Sequence, residues 1–139
     1  MPVALSRSDW RKIRRIHREL QRAFIWTSDR EQHGVIEHWG RPQRDADGAL
    51  RGDCDDYAIE AWHRLDAAGI PRKALKLAVC RTNRESIGFD HAVLAIDADD
   101  CAYVLDCNQL FVVPAIQCGY DHWHWQDGAI DRPWVGVIV

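Results

Sequence analysis

The chain has 139 residues, a length that predicts one domain with one proper core over residues 1–139. Its 47% hydrophobic and 28% charged residues are those of an ordinary globular chain, and a net charge of -3 argues against a surface given over to nucleic acid. No stretch approaches about eighteen uninterrupted apolar residues, which argues against a membrane-spanning helix, and the opening Met-Pro-Val-Ala-Leu-Ser-Arg has no secretory h-region, so the sequence as written reads as cytosolic.

From Ser8 to about Ile25 the pattern predicts a first helix capped by Ser6 or Ser8, with Trp10, Ile13, Ile16 or His17, Leu20 and Phe24 on one side. Arg11, Arg14, Arg15, Arg18 and Arg22 fill the other side, a solvated face or a surface for an anionic partner. Trp26 to Arg51, with Gly34, Gly40, Pro42 and Asp45-Ala46-Asp47-Gly48, reads as an irregular connector in which Trp39 either lines a site or packs on the core. Gly52 permits a tight turn and Asp53 is a good N-cap, so a second helix should start at or beside Cys54. Apolar residues at 54, 57, 58, 61, 62, 65 and 68 give it one buried face, and Ala67-Ala68-Gly69-Ile70-Pro71 ends it. Ala74 to Cys80, Asp90 to Asp97, Cys101 to Asp106, Leu110 to Val113 and Trp134 to Val139 then read as strands, with Arg81 to Gly88 and Asp97 to Asp100 as hairpin turns. Asp121-His122-Trp123-His124-Trp125 reads as a tryptophan-rich surface or core loop; no cysteine or acidic partner stands at the spacing a transition-metal site would need. Helices first and strands later give an α+β fold with an antiparallel sheet packed against the Cys54 helix.

Five cysteines, at 54, 80, 101, 107 and 118, are odd in number and form no CxxC pair, so free thiols fit better than a disulfide framework or a zinc knuckle. Cys54 is distinguished by its place: a thiol at a helix start meets unpaired backbone N–H groups and the positive end of the helix dipole, both of which favour thiolate. The second hairpin supplies partners. A turn symmetric about Ala98 and Asp99 sets Ile96 against Cys101, Val93 against Val104 and His91 against Asp106, close enough for the carboxylate to hold the imidazole. Such a set allows His91 to take the Cys54 proton and Asp106 to fix its tautomer, with Asn108 as the substitute orienting group in another register. Asp53, Asp55 and Asp56 beside the thiol should raise its pKa, and a bound cation or a cationic His91 would offset them.

Gly52-Asp53-Cys54-Asp55-Asp56-Tyr57-Ala58-Ile59, Asp90-His91-Ala92-Val93-Leu94 and Tyr103-Val104-Leu105-Asp106 resemble the three motifs of the bacterial transglutaminase-like cysteine peptidases, a likeness covering roughly residues 10 to 113. His38-Trp39-Gly40-Arg41-Pro42 is similar to the family's segment before the cysteine. The resemblance implies a papain-like, transglutaminase-like fold, a Cys54, His91 and Asp106 triad, and hydrolysis of a peptide or isopeptide bond in a protein or peptide substrate through a thioester acyl-enzyme. The best-known branch consists of periplasmic, calcium-dependent proteases that clip adhesins. That likeness implies calcium on Asp53 and Asp55, with Asp56 a further candidate. The sequence carries no export signal and is shorter than those members, so a minimal intracellular or phage-encoded relative is expected, and adhesin cleavage is not carried over. The same scaffold could serve a transglutaminase, acyltransferase or deamidase. A non-catalytic interaction or virion protein that grips an acidic partner through the Arg-rich helix is the rival of another class.

Overall fold

The computed structural model describes residues 3–26, 43–44, 49–82, 90–126 and 134–138. Helix α1 (Arg7–Ala23) begins at a capping box in which the Ser6 hydroxyl accepts the Asp9 N–H and the Asp9 carboxylate accepts the Ser6 N–H, both at 3.0 Å. It buries Ile13, Ile16, His17 and Leu20 and leaves the arginine row in solvent. The helix stops at Ala23, short of the expected Ile25, because Phe24–Trp26 extends into strand β1. This strand runs parallel to β3 (Leu50–Gly52), and β2 (Gln43–Arg44) pairs antiparallel on β3's other side. Parts of the expected connector are therefore strands, held by pairing that no local pattern announces; Trp39 lies outside the described residues.

Helix α2 (Cys54–Ala67) starts where expected. Asp53 Oδ1 accepts the N–H groups of Asp55 (3.1 Å) and Asp56 (3.4 Å), and Asp56 Oδ2 accepts the Asp53 N–H at 3.1 Å. The predicted apolar face is buried through Tyr57, Ala58, Ala61, Trp62 and Leu65, but Asp55, Asp56, Ile59 and Glu60 are buried too, so the first two turns are enclosed on more sides than the one expected. Gly69, at φ +90°, turns the chain out of the helix in a conformation that costs glycine little.

The main sheet is antiparallel and holds β4 (Leu75–Arg81), β5 (His91–Asp97), β6 (Ala102–Leu105), β7 (Val113–Pro114), β8 (Asp121–Gln126) and β9 (Trp134–Ile138) in the order β7-β6-β5-β4-β8-β9. Three details depart from the sequence reading. Ala74 belongs to a 3₁₀ turn (Arg72–Ala74), and of the stretch Leu110 to Val113 only Val113 joins a strand. Asp121–Gln126 is a strand and not a loop: its alternating aromatics suit a pleated surface, and its partner is distant β4, where Ala78 lies opposite Trp125.

Alternation in β4, β5 and β6 sends Leu75, Leu77, Leu94, Ile96 and Leu105 into a core shared with α1 and α2. Ala78, Cys80, Val93, Ala95 and Val104 face the other way and pack with Ala115 and Trp123. The β5–β6 turn closes with Ala98 N–H on Cys101 O at 3.2 Å, and the ladder sets Leu94 against Leu105, Ala95 against Val104 and Ile96 against Tyr103. That turn is centred one residue later than expected, so each residue's partner moves by two. A slide of two leaves every side chain on its predicted face, and it removes the expected direct pairing of His91 with Asp106, both of which lie beyond the ladder's last pair, Leu94 with Leu105. Among the described residues, no helix is long and apolar enough to cross a membrane.

Candidate active site

Cys54 is the first residue of α2, directly after the Asp53 cap, and its side chain is half-buried. The thiol donates weakly to Asp55 Oδ1 at 3.6 Å, and the backbone N–H of Ala92, next in chain to His91, favours the thiolate. Burial is the main force holding the proton on Cys54, pushing its pKa well above that of a free thiol. The Asp55 charge acts next in the same direction, the Ala92 N–H opposes it, and Cys107 and Asp53 add smaller upward contributions. The acidic neighbours act in the predicted direction, but desolvation outweighs them.

His91 opens β5 opposite Cys80 of β4, and Asp106 stands just past the end of β6. His91 Nε2 and Asp106 Oδ1 are 2.7 Å apart, with Asp106 fully buried. Asp106 also accepts the Asn108 N–H on Oδ1 at 2.9 Å and the Tyr120 hydroxyl on Oδ2 at 2.7 Å. Burial raises the Asp106 pKa, but the His91 bond and charge, the Asn108 amide and the Tyr120 hydroxyl together hold it below the usual carboxylate range. An ionised carboxylate only accepts, so Nε2 of His91 carries the hydrogen and Nδ1 is the nitrogen left to take a proton. Asn108 contributes through its backbone rather than through the side chain that the sequence suggests as a substitute orienter.

No sequence signal points to Tyr120. Its ring meets the imidazole edge-on, with centroids 5.4 Å apart, while its hydroxyl holds Asp106. It follows Gly119, whose φ of +77° bends the chain onto β8, and no local pattern marks it. Cys107 is likewise unmarked in the sequence. Its sulfur lies within 4.8 Å of ligand atoms of His91 and Asp106, and its pKa is pushed up to about 12 by burial and then by the Asp106 charge.

Among the described residues, one group of three or more possible ligand atoms lies within 4.8 Å of one another: His91, Asp106 and Cys107. Its nitrogen, oxygen and sulfur donors are not the set a hard cation selects. Asp53, Asp55 and Asp56 offer the all-oxygen chemistry that calcium takes, so the donor type fits, although their oxygens are not gathered into such a trio. One oxygen each of Asp53 and Asp56 caps α2, and one of Asp55 receives the Cys54 thiol.

The sequence model described as bacterial transglutaminase-like cysteine proteinase matches residues 1–138. No curated protein matches the chain. Among solved structures, calcium-bound LapG of Legionella pneumophila is similar at TM-score 0.67 and 19% identity, covering 85% of this chain and 65% of that one. A second LapG structure gives TM-score 0.67, 17% identity and coverage of 87% and 66%; an EGTA-treated one gives 0.60, 18%, 78% and 57%. This chain thus spans about 65% of the length of the LapG chain. The likeness shows the fold, an α+β architecture of the papain-like, transglutaminase-like kind.

Proposed function

Since the chain belongs to the family of bacterial transglutaminase-like cysteine proteinases, we propose that it hydrolyses a peptide or related amide bond, with Cys54 as nucleophile, His91 as acid and base, and Asp106 as orienter. The observation that carries this reading is the buried His91 Nε2–Asp106 Oδ1 bond of 2.7 Å, formed at the start of the strand whose next residue, Ala92, has a backbone N–H that favours the Cys54 thiolate.

The chemistry follows from that tautomer. Nδ1 of His91 takes the thiol proton, and the thiolate adds to the substrate carbonyl carbon. The Cys54 backbone N–H, at the start of α2, helps hold the oxyanion. The carbon–nitrogen bond then breaks, the imidazolium protonates the departing amine, and a thioester remains on Cys54. Water attacks the thioester carbonyl, losing a proton to His91, which returns it to the sulfur as acid product leaves. Asp106 stays ionised throughout and stabilises the imidazolium. Burial favours the protonated form of Cys54, so the proposed reaction includes proton transfer to His91. Calcium, bound in one of the LapG structures, would be held here by Asp53 and Asp55 and would supply positive charge beside the thiol.

Site-resolved alkylation tests the proposal with the other cysteines as internal controls. Cys101 is exposed, whereas burial pushes Cys80 and Cys118 up as well as Cys107. Burial raises the Cys54 pKa too, so its expected advantage over all four comes from proton transfer to His91, and His91→Ala should abolish it. Equal rates for Cys54 and exposed Cys101 in the unaltered protein would overturn the assignment.

A further inference from the structure

We infer that His17 and Gln21 of α1 are positioning residues that hold the turn carrying Asp106, and through it set the imidazole of His91. The inference rests on the reading of Asp106 as the group that orients His91. The β5–β6 ladder begins at the Leu94–Leu105 pair, so His91 and Asp106 both lie beyond its end, where the two strands no longer register on each other. Something other than the sheet must fix Asp106, and two side chains of α1 reach its turn.

Gln21 Nε2 lies 3.0 Å from the Asp106 carbonyl oxygen, 3.2 Å from that of Cys107, 3.0 Å from that of Gln109 and 3.4 Å from the Tyr57 hydroxyl. His17 Nε2 lies 2.8 Å from the Gln109 carbonyl oxygen. A carbonyl can only accept, so this nitrogen carries the hydrogen and Nδ1 is the acceptor, filled by the Tyr57 hydroxyl at 2.8 Å. With its own proton committed to His17, the Tyr57 oxygen is the acceptor for Gln21. The two amide hydrogens of Gln21 are thus shared among the three turn carbonyls and the Tyr57 oxygen, and burial lowers the pKa of His17, consistent with a neutral ring.

The turn closes on itself as well, with Gln109 N–H on Asp106 O at 3.0 Å, so what α1 grips is a rigid loop with the carboxylate at its head. His17 and Gln21 are one helical turn apart, two polar residues set in the buried stripe of an otherwise arginine-coated helix. Tyr57 stands one turn after Cys54 on α2, so the network ties the helix that starts with the nucleophile to the turn that carries the orienter.

The test uses the whole chain and reads the His91 Nε2 proton by ¹⁵N-resolved NMR, alongside Cys54 alkylation. Gln21→Met keeps the length and removes the donors. It should broaden or erase the low-field His91 proton, as Asp106→Asn should too, and slow Cys54 alkylation about tenfold to a hundredfold, the consequence expected of a misplacement of about 1 Å. His17→Gln, which still offers an N–H toward Gln109, should keep the proton. Should Gln21→Met fail to fold, His17→Phe releases the turn at Gln109 alone and gives the same readout. A purely structural contact would lower the melting temperature while folded Gln21→Met kept the His91 proton and alkylation rate of the unaltered protein; that result overturns the inference. If Cys54 in the unaltered protein proves no faster than Cys101, the hydrolase reading fails, while the His91 proton still decides this inference.

Discussion

Gly52→Ala should destabilise the protein and disturb the nucleophile although it touches no reacting atom. A Cβ built at this position would lie 2.6 Å from Asp56 Cβ, 2.7 Å from Asp56 Oδ2 and 3.0 Å from Asp56 Cγ. Its nearest contact is a Cβ, which no change of rotamer can move, so the junction between β3 and α2 must open. Overpacking of this kind costs roughly 1–3 kcal/mol. Asp56 Oδ2 also accepts the Asp53 N–H, and losing that arm of the capping box costs about 1 kcal/mol more. The reduced entropy of the unfolded chain returns about 0.4–1 kcal/mol. The net is a loss of roughly 2 kcal/mol, or a fall in melting temperature of about 6–10 °C in a chain of this size. Urea unfolding followed by tryptophan fluorescence measures it, with Cys54 alkylation on the folded fraction as companion. An unchanged midpoint and an unchanged Cys54 rate would refute the close-contact argument and leave Gly52 as ordinary turn chemistry.

Stability should also fall as the pH drops below about 6.5, the unfolded histidine value, because burial lowers the folded pKa of His17 and the unfolded chain therefore binds the extra proton first. The slope from this one group reaches at most about 1.4 kcal/mol per pH unit between the unfolded and folded pKa values, and His17→Gln should flatten the urea midpoint against pH by that amount; parallel curves would remove His17 as the cause. Chelation should slow Cys54 alkylation if calcium sits on Asp53 and Asp55, since stripping the cation leaves the Asp55 and Asp53 charges to hold the thiol proton. Asp55→Asn should then be insensitive to chelator. A rate that ignores EGTA removes calcium from the proposal and leaves the triad standing.

The helix that begins at Cys54 was legible because its signals are local. Asp53 caps it, its apolar residues repeat at helical spacing, and the structure buries that face. The contact of His91 with Asp106 was legible for a subtler reason: face alternation survives a slide of two residues, so a mistaken turn centre still left both groups on one side. Residues that depend on distant pairing were hidden. β8 belongs with β4, about forty residues earlier, and β1 with β3 across the stretch 27–49, so neither strand is written in its own neighbours. Tyr120 reaches Asp106 only because the chain doubles back after β7, and Gln21 reaches it across 85 residues.

The parting of β5 from β6 explains how a charge can be kept in the interior here. A carboxylate with no access to water is expensive unless its oxygens are filled, and in a continued ladder the position after Leu105 would face only strand and apolar neighbours. Where the strands separate, Asp106 instead collects three donors from three directions: the imidazole from β5, the Asn108 amide from its own turn, and the Tyr120 hydroxyl from the approach to β8. Two of those donors do no chemistry in the proposed reaction, yet they join the His91 bond in holding the carboxylate ionised against its burial, and a protonated Asp106 could no longer stabilise an imidazolium. The same parting leaves the imidazole held at two points. β4 fixes its backbone at Cys80 and Asp106 fixes its ring at Nε2, so Nδ1 is the nitrogen through which the pair can take a proton from a thiol.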